Sequence, residues 1–223
     1  MFMPMPARTV PTPHSISPEL PLKYVGGDPS IDLVNTVDWV GDELDHDRIP
    51  DYDRLARWAE GPGVITASVG ERLRRAAAAR PRDAAAAVAA AGRLRWVLQR
   101  LFTAVATGRA DGTALGEFND LLADALPRMR LTSSSSSSRR QLTLTWDGLG
   151  DDLASPLWPV VWSAAQLLAS EEASRIHVCA APDCGWMYVD RSRNRLRRWC
   201  QMETCGTRAK SRRRYRRAKQ RLE

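Results

Sequence analysis

Apolar residues recur at helical intervals over much of the first 174 positions, and the clearest run follows an alanine-rich stretch. There Leu94, Val97, Leu98, Leu101 and Val105 form one stripe, which predicts the longest helix of the chain over residues 83–107. A break at residues 108–112 ends it, and Leu115, Phe118, Leu122 and Ala125 repeat the pattern in a second helix. Upstream, Asp28 and Pro29 suit the cap and first turn of a helix that carries Leu33, Val34, Val37 and Val40. Shorter helices are predicted at "DYDRLARWAE", closed by Gly61-Pro62-Gly63, and at "SVGERLRRAAAAR", closed by Pro81. "SPLWPVVWSAAQLLASEEA" gives one more, with Ser155 as its expected cap. The period drops to two at Leu142, Leu144 and Trp146, so "RMRLT" and "RRQLTLTW" read as a β-hairpin across the serine run 133–138, a linker by composition.

The expected fold is therefore mainly α with one β-hairpin. A flexible proline-rich leader (1–20, or a start assigned too early) precedes a helical domain (21–174) and a small C-terminal module (175–223). The chain has 223 residues and 43% hydrophobic content, enough for a core. No apolar run is long enough to cross a membrane, and the N-terminus lacks the apolar block of a secretory signal. A cytoplasmic, nucleoid-associated protein is expected.

Charge divides at the module boundary. The net charge of +7 is the sum of +11 for residues 175–223 (15 Lys/Arg, 4 Asp/Glu) and −4 for residues 1–174 (18 and 22). A basic run is often only a solvated face. One so concentrated beside a cysteine cluster more often meets a polyanion.

All four cysteines lie in that module, spaced Cys179-x4-Cys184-x15-Cys200-x4-Cys205. Two close pairs at this separation form the pattern of a four-thiolate zinc site. Disulfides would need an oxidising compartment, and unrelated buried cysteines would scatter. An iron–sulfur cluster is the lesser alternative. A single Zn2+ with four protein ligands has no open position, so its role is structural. His177 stands close enough to be weighed as a ligand, although a strand residue facing solvent fits it better.

The module displays arginine. Arg191, Arg193, Arg195, Arg197 and Arg198 crowd the segment before Cys200; Arg208, Lys210, Arg212, Arg213 and Arg216 stud a helix after Cys205. Phosphate contact by such residues gives salt-dependent affinity, and arginine can also read guanine in the major groove. On that helix Ser211, Tyr215, Ala218 and Leu222 have the spacing of an inward face. Trp186, Tyr188 and Trp199 read as a small core around the metal or, alternatively, as a stacking platform for bases.

The stretch from Cys179 to Arg217 resembles the CGNR zinc finger at the C-terminus of bacterial ABATE-domain proteins, a family of proposed stress-induced transcription regulators. The likeness rests on the cysteine pairs, Val189-Asp190-x-Ser192, Arg198-Trp199-Cys200, and Cys205-Gly206-Thr207-Arg208 followed by Ala209-Lys210. Thr207 replaces the asparagine that names the motif. "DLVNT", residues 32–36, resembles an element near the start of the ABATE domain. The resemblance covers nearly the whole chain after residue 20. It implies a transcription regulator in which the zinc module is expected to bind double-stranded DNA and the N-terminal domain to sense an effector or to dimerise.

Asp32, Asn35 and Thr36 are the candidate effector-binding residues; the competing reading is that they bond neighbouring backbone. Asp38, Asp42, Glu43, Asp45 and Asp47 form an acidic loop, read as solvated rather than cation-binding. No phosphate loop, nucleophile elbow or paired-histidine motif is present, so an enzyme is not expected. A homodimer reading two half-sites would compensate for the small size of the module. Two rivals share the same features: an RNA-binding or ribosome-associated protein, and a module that docks a basic helix on an acidic partner.

Overall fold

A computed structural model describes residues 10–40, 43–134 and 141–220. Among these, no helix is long and apolar enough to cross a membrane. The architecture is mainly helical with three small sheets, where one hairpin was expected.

Helix α1 (Pro29–Val34) starts as its sequence dictates, with Asp28 accepting the Ser30 N–H and Pro29 in the first turn. It stops far sooner than the predicted stripe. Val37–Val40 form strand β2 instead, and Val37 and Trp39 alternate inward as buried residues. The change of period follows from Asn35, whose backbone closes the helix while its side chain leaves for another segment. β2 pairs antiparallel with β3 (Glu43–Asp47), so the acidic loop is a hairpin. Within it Asp38 binds Arg48 and Asp47 binds Arg95; Asp42 lies outside the described residues. The two-residue strand β1 (Ser15–Ile16) pairs parallel with β3, and Ser17 N–H donates to the Asp47 carbonyl at 2.8 Å. The end of the predicted leader is thus tied to the body; residues 1–9 lie outside the description.

Helices α2 (Tyr52–Glu60), α3 (Ala67–Ala79), α4 (Pro81–Ala106) and α5 (Gly112–Ala125) follow the sequence prediction closely. α4 is the central element, touching α1, α2, α3, α5 and α6 (Leu157–Leu168). Its Leu94, Val97, Leu98 and Leu101 are buried, while Val105 reaches the surface. On α5 the buried stripe is Ala114, Phe118 and Ala125, and Leu115 is exposed. Phe118 and Ala125 keep the predicted face and Leu122 is partly buried on it, while Ala114 takes the place expected of Leu115. Ser155 does not cap α6; it is buried and accepts the Gly150 N–H at 3.2 Å.

The predicted hairpin is present as β4 (Met129–Ser134) and β5 (Gln141–Trp146). Ser133 and Ser134 belong to its first strand, and residues 135–140 lie outside the description. Its apolar positions Leu131, Leu142 and Leu144 are all exposed.

A last small sheet pairs β6 (Ile176–Val178) with β7 (Met187–Val189). It sits on the body, not beside it. β6 packs on α4 and β7 on α1, and Ile176, Met187 and Val189 join one continuous core with the helices.

Candidate metal centre and nucleic-acid interface

The Asn35 side chain grips the module directly. Its Nδ2 donates to the Met187 carbonyl (2.9 Å) and its Oδ1 accepts the Met187 N–H (2.8 Å). Trp186 adds an indole bond to the Val37 carbonyl (2.8 Å), and the Val189 N–H reaches the Gly26 carbonyl (2.8 Å). Thr36 donates to the Leu33 carbonyl and accepts from Arg95. Asp32 accepts the Gly26 N–H at 2.8 Å, and burial pushes its carboxyl up to about 6. All three are buried and satisfied by the protein itself, at most 4% exposed. The competing reading for Asp32, Asn35 and Thr36, that they bond neighbouring backbone, matches these contacts. Asn35 is the joint between body and module, while Asp32 and Thr36 bond within the body.

From this joint the chain builds a metal cage. Cys179 continues the β6–β7 pairing, with its N–H on the Trp186 carbonyl, and a turn then presents Cys184. Gly185 makes that turn fit: a Cβ there would stand 2.3 Å from the Cβ of Trp39. Cys200 ends the arginine-rich loop, and Cys205 lies in a π-helical turn, Met202–Gly206, that leads into helix α7 (Thr207–Gln220).

The four sulfurs lie within 4.8 Å of one another, with 3.7 Å between Cys184 and Cys200 and 3.6 Å between Cys200 and Cys205. A tetrahedron with Zn–S bonds of about 2.3 Å has edges of about 3.8 Å. The cage has the size of a zinc site. Sulfur–sulfur hydrogen bonding alone would split the thiols, holding Cys179 down to about 2 while pushing Cys184 up to about 12 and Cys200 up as well. A divalent cation resolves this conflict by taking all four as thiolates. The surplus negative charge has donors in place: the Cys200 N–H on Cys179 Sγ (3.4 Å) and Arg208 Nη2 on Cys205 Sγ (3.2 Å). His177 is exposed on β6 and lies outside the cluster.

The expected contact arginines separate into two groups. Arg191 is held by both carboxylate oxygens of Glu172 (2.9 and 2.8 Å) and by the Gly27 carbonyl. Arg197 donates to the carbonyls of Val25 (2.9 Å), Trp199 (3.1 Å) and Cys200, with its guanidinium 4.1 Å from the Tyr188 ring centre. Both are tied to the scaffold, Arg191 while still exposed and Arg197 half-buried. Arg208 and Arg212, one turn apart, both reach Asp183 at 3.3 Å, tying the start of α7 to the first cysteine turn. Their pairing with Asp183 holds its carboxyl below the usual range, Arg212 most strongly.

The rest are free of such ties. Arg193, Arg195, Arg198, Lys210, Arg213 and Arg216 are exposed, and none forms an ion pair among the described residues. The predicted inward face of α7 is not formed by its described members: Ser211, Tyr215 and Ala218 are exposed, with Tyr215 at 72%, and Leu222 lies outside the description. Trp186 and Tyr188 are buried, so they belong to the small core and not to a stacking platform; Trp199 is half-buried beneath Arg198.

The composition of the cage defines the class: a four-cysteine zinc finger, with one structural zinc, built onto a helical body. Residues 175–218 match the family model of the CGNR zinc finger, and residues 27–171 match the ABATE model, described as "Putative stress-induced transcription regulator". The chain belongs to the ABATE family. No curated protein matches it.

Asp183 and the joint at Asn35 were not singled out in the sequence. The four-residue spacing of Arg208 and Arg212 behind an acidic residue next to Cys184 was the available signal for the first. Nothing local pointed to Met187 as the partner of Asn35.

Proposed function

We propose that this protein is a DNA-binding transcription regulator whose zinc module presents duplex DNA with the unpaired cations Lys210, Arg213 and Arg216 of α7, together with Arg193, Arg195 and Arg198. The observation that carries this reading is a helix with exposed basic side chains and, among the described residues, no buried stripe, fixed at one end by the metal cage. Like charges along a helix repel, and phosphates along that surface relieve the repulsion. The family assignment to transcription regulators supports the same reading.

In this reading the protein is cytoplasmic, acts without catalysis, and pairs as a homodimer to read two half-sites. The body serves to hold the module at a fixed orientation through Asn35 and Trp186. Fluorescence-anisotropy titration of the zinc-loaded protein against promoter duplexes, scrambled duplexes and structured RNA tests it. Retention of a promoter duplex at about 0.15 M salt, with release of the other two, is the expected result. Tighter binding to structured RNA would replace this reading with the RNA-binding one. Sedimentation that finds a monomer both free and on DNA would remove the homodimer.

A further inference from the structure

The loop between β7 and Cys200 carries the most exposed large apolar side chain among the described residues, Leu196 at 76%. Solitary exposed leucines are common, so exposure alone means nothing. What distinguishes Leu196 is how firmly it is presented. The Asp190 carboxylate spans the loop, accepting the Ser192 N–H at 2.9 Å and the Arg197 N–H at 3.0 Å. The far leg is fixed again by Tyr188, which donates to the Arg197 carbonyl (2.6 Å), and by the Ala180 N–H on the Arg198 carbonyl (2.8 Å).

Between these clamps the chain turns through Arg195 at φ 50°, a left-handed conformation that a side chain disfavours. The scaffold enforces it, and Leu196 points to solvent as a result. Arg193, Arg195 and Arg198 are exposed on the same loop without an ion pair among the described residues. Leu196 also lines a surface depression of about 540 Å³ with Met202, which is 44% exposed and opens the turn into α7.

A firmly held apolar tip on a loop that also exposes three arginines fits one polyanion in particular. Duplex DNA offers a negative minor groove that draws arginine, and base steps between which a leucine can insert. Building on the DNA-binding function proposed above, we propose that Leu196 is a wedge that enters the minor groove and opens a base step, with Arg193, Arg195 and Arg198 on the flanking backbone. The recognised sites would then favour easily unstacked pyrimidine–purine steps.

The test uses the full zinc-loaded chain and a duplex of about 20 base pairs, labelled at both ends for energy transfer and carrying a central TA step. Wild type should bend the duplex. Leu196→Ala should bind about tenfold more weakly and leave the duplex straight, with an unchanged salt dependence and melting temperature. Arg195→Gln should instead lower the salt slope by about one. Equal bending by wild type and Leu196→Ala would overturn the wedge, as would wild-type binding without bending. Absence of any duplex binding by wild type would overturn the DNA-binding reading itself, and the wedge with it.

Discussion

Arg95 and Arg213 are the same residue type in opposite situations. Arg95 is buried in the body, where its guanidinium meets Asp47 at 2.6 and 3.0 Å and Thr36 at 3.0 Å. Arg213 lies exposed on α7 without an ion pair among the described residues. Arg197 belongs with Arg95, although it sits in the basic module, because it satisfies carbonyls that the metal-bound loop leaves open. Arginine is structural where backbone or carboxylate acceptors converge on it. Where the surrounding chain offers none, it remains available to a polyanion. Position in the basic run does not decide between the two; the acceptors nearby do.

The comparison breaks most severely at the metal. Replacement of Cys200 by Ser, or chelation, should unfold the module, because structural zinc supplies about 10 kcal/mol or more of folding free energy. The shared core through Trp186 and Met187 should carry the loss into the body, visible as a lowered melting temperature of the whole chain. Asp47→Ala comes next. It leaves Arg95 buried and uncompensated, at a cost of about 3–5 kcal/mol in a denaturant titration. Asn35→Ala removes both bonds to Met187 and strands two buried backbone groups, for a loss of about 2–4 kcal/mol.

Asp32 sharpens the picture by pH. Its folded carboxyl is raised to about 6 by burial, above the unfolded value, so the folded state binds the extra proton. Stability from this group is present below the unfolded value and is lost as pH rises through about 6. Asp32→Asn should therefore gain relative to wild type as pH rises from about 4 to about 6, by about 3 kcal/mol at most over the whole transition. A constant difference between the two across that range would refute the assignment.

Much of this was legible in the chain. The stripe on α4, the cap at Asp28 and the cysteine spacing all depend on near neighbours, and each appears where expected. Three features depended on distant residues. The α1 stripe ran past Asn35 on paper because its partner, Met187, stands 152 positions away. Leu115 looked like a core residue, but α4 and α6 pack on the side of α5 that buries Ala114. Trp186 and Tyr188 read equally well as platform or core, and only their burial against β2 and the arginine loop decides it. The arginines were legible as a charge but not as individuals, since their acceptors are backbone carbonyls without a sequence signature.

The most direct measurement compares two variants for both duplex binding and stability: the triple Lys210→Gln/Arg213→Gln/Arg216→Gln, and Arg197→Gln. The triple variant should reduce the dependence of log affinity on log salt by about 2–3 while its melting temperature stays unchanged. Arg197→Gln should lower the melting temperature and leave the salt slope as in wild type. Equal salt slopes for wild type and the triple variant would contradict the account, as would a slope lost through Arg197→Gln alone.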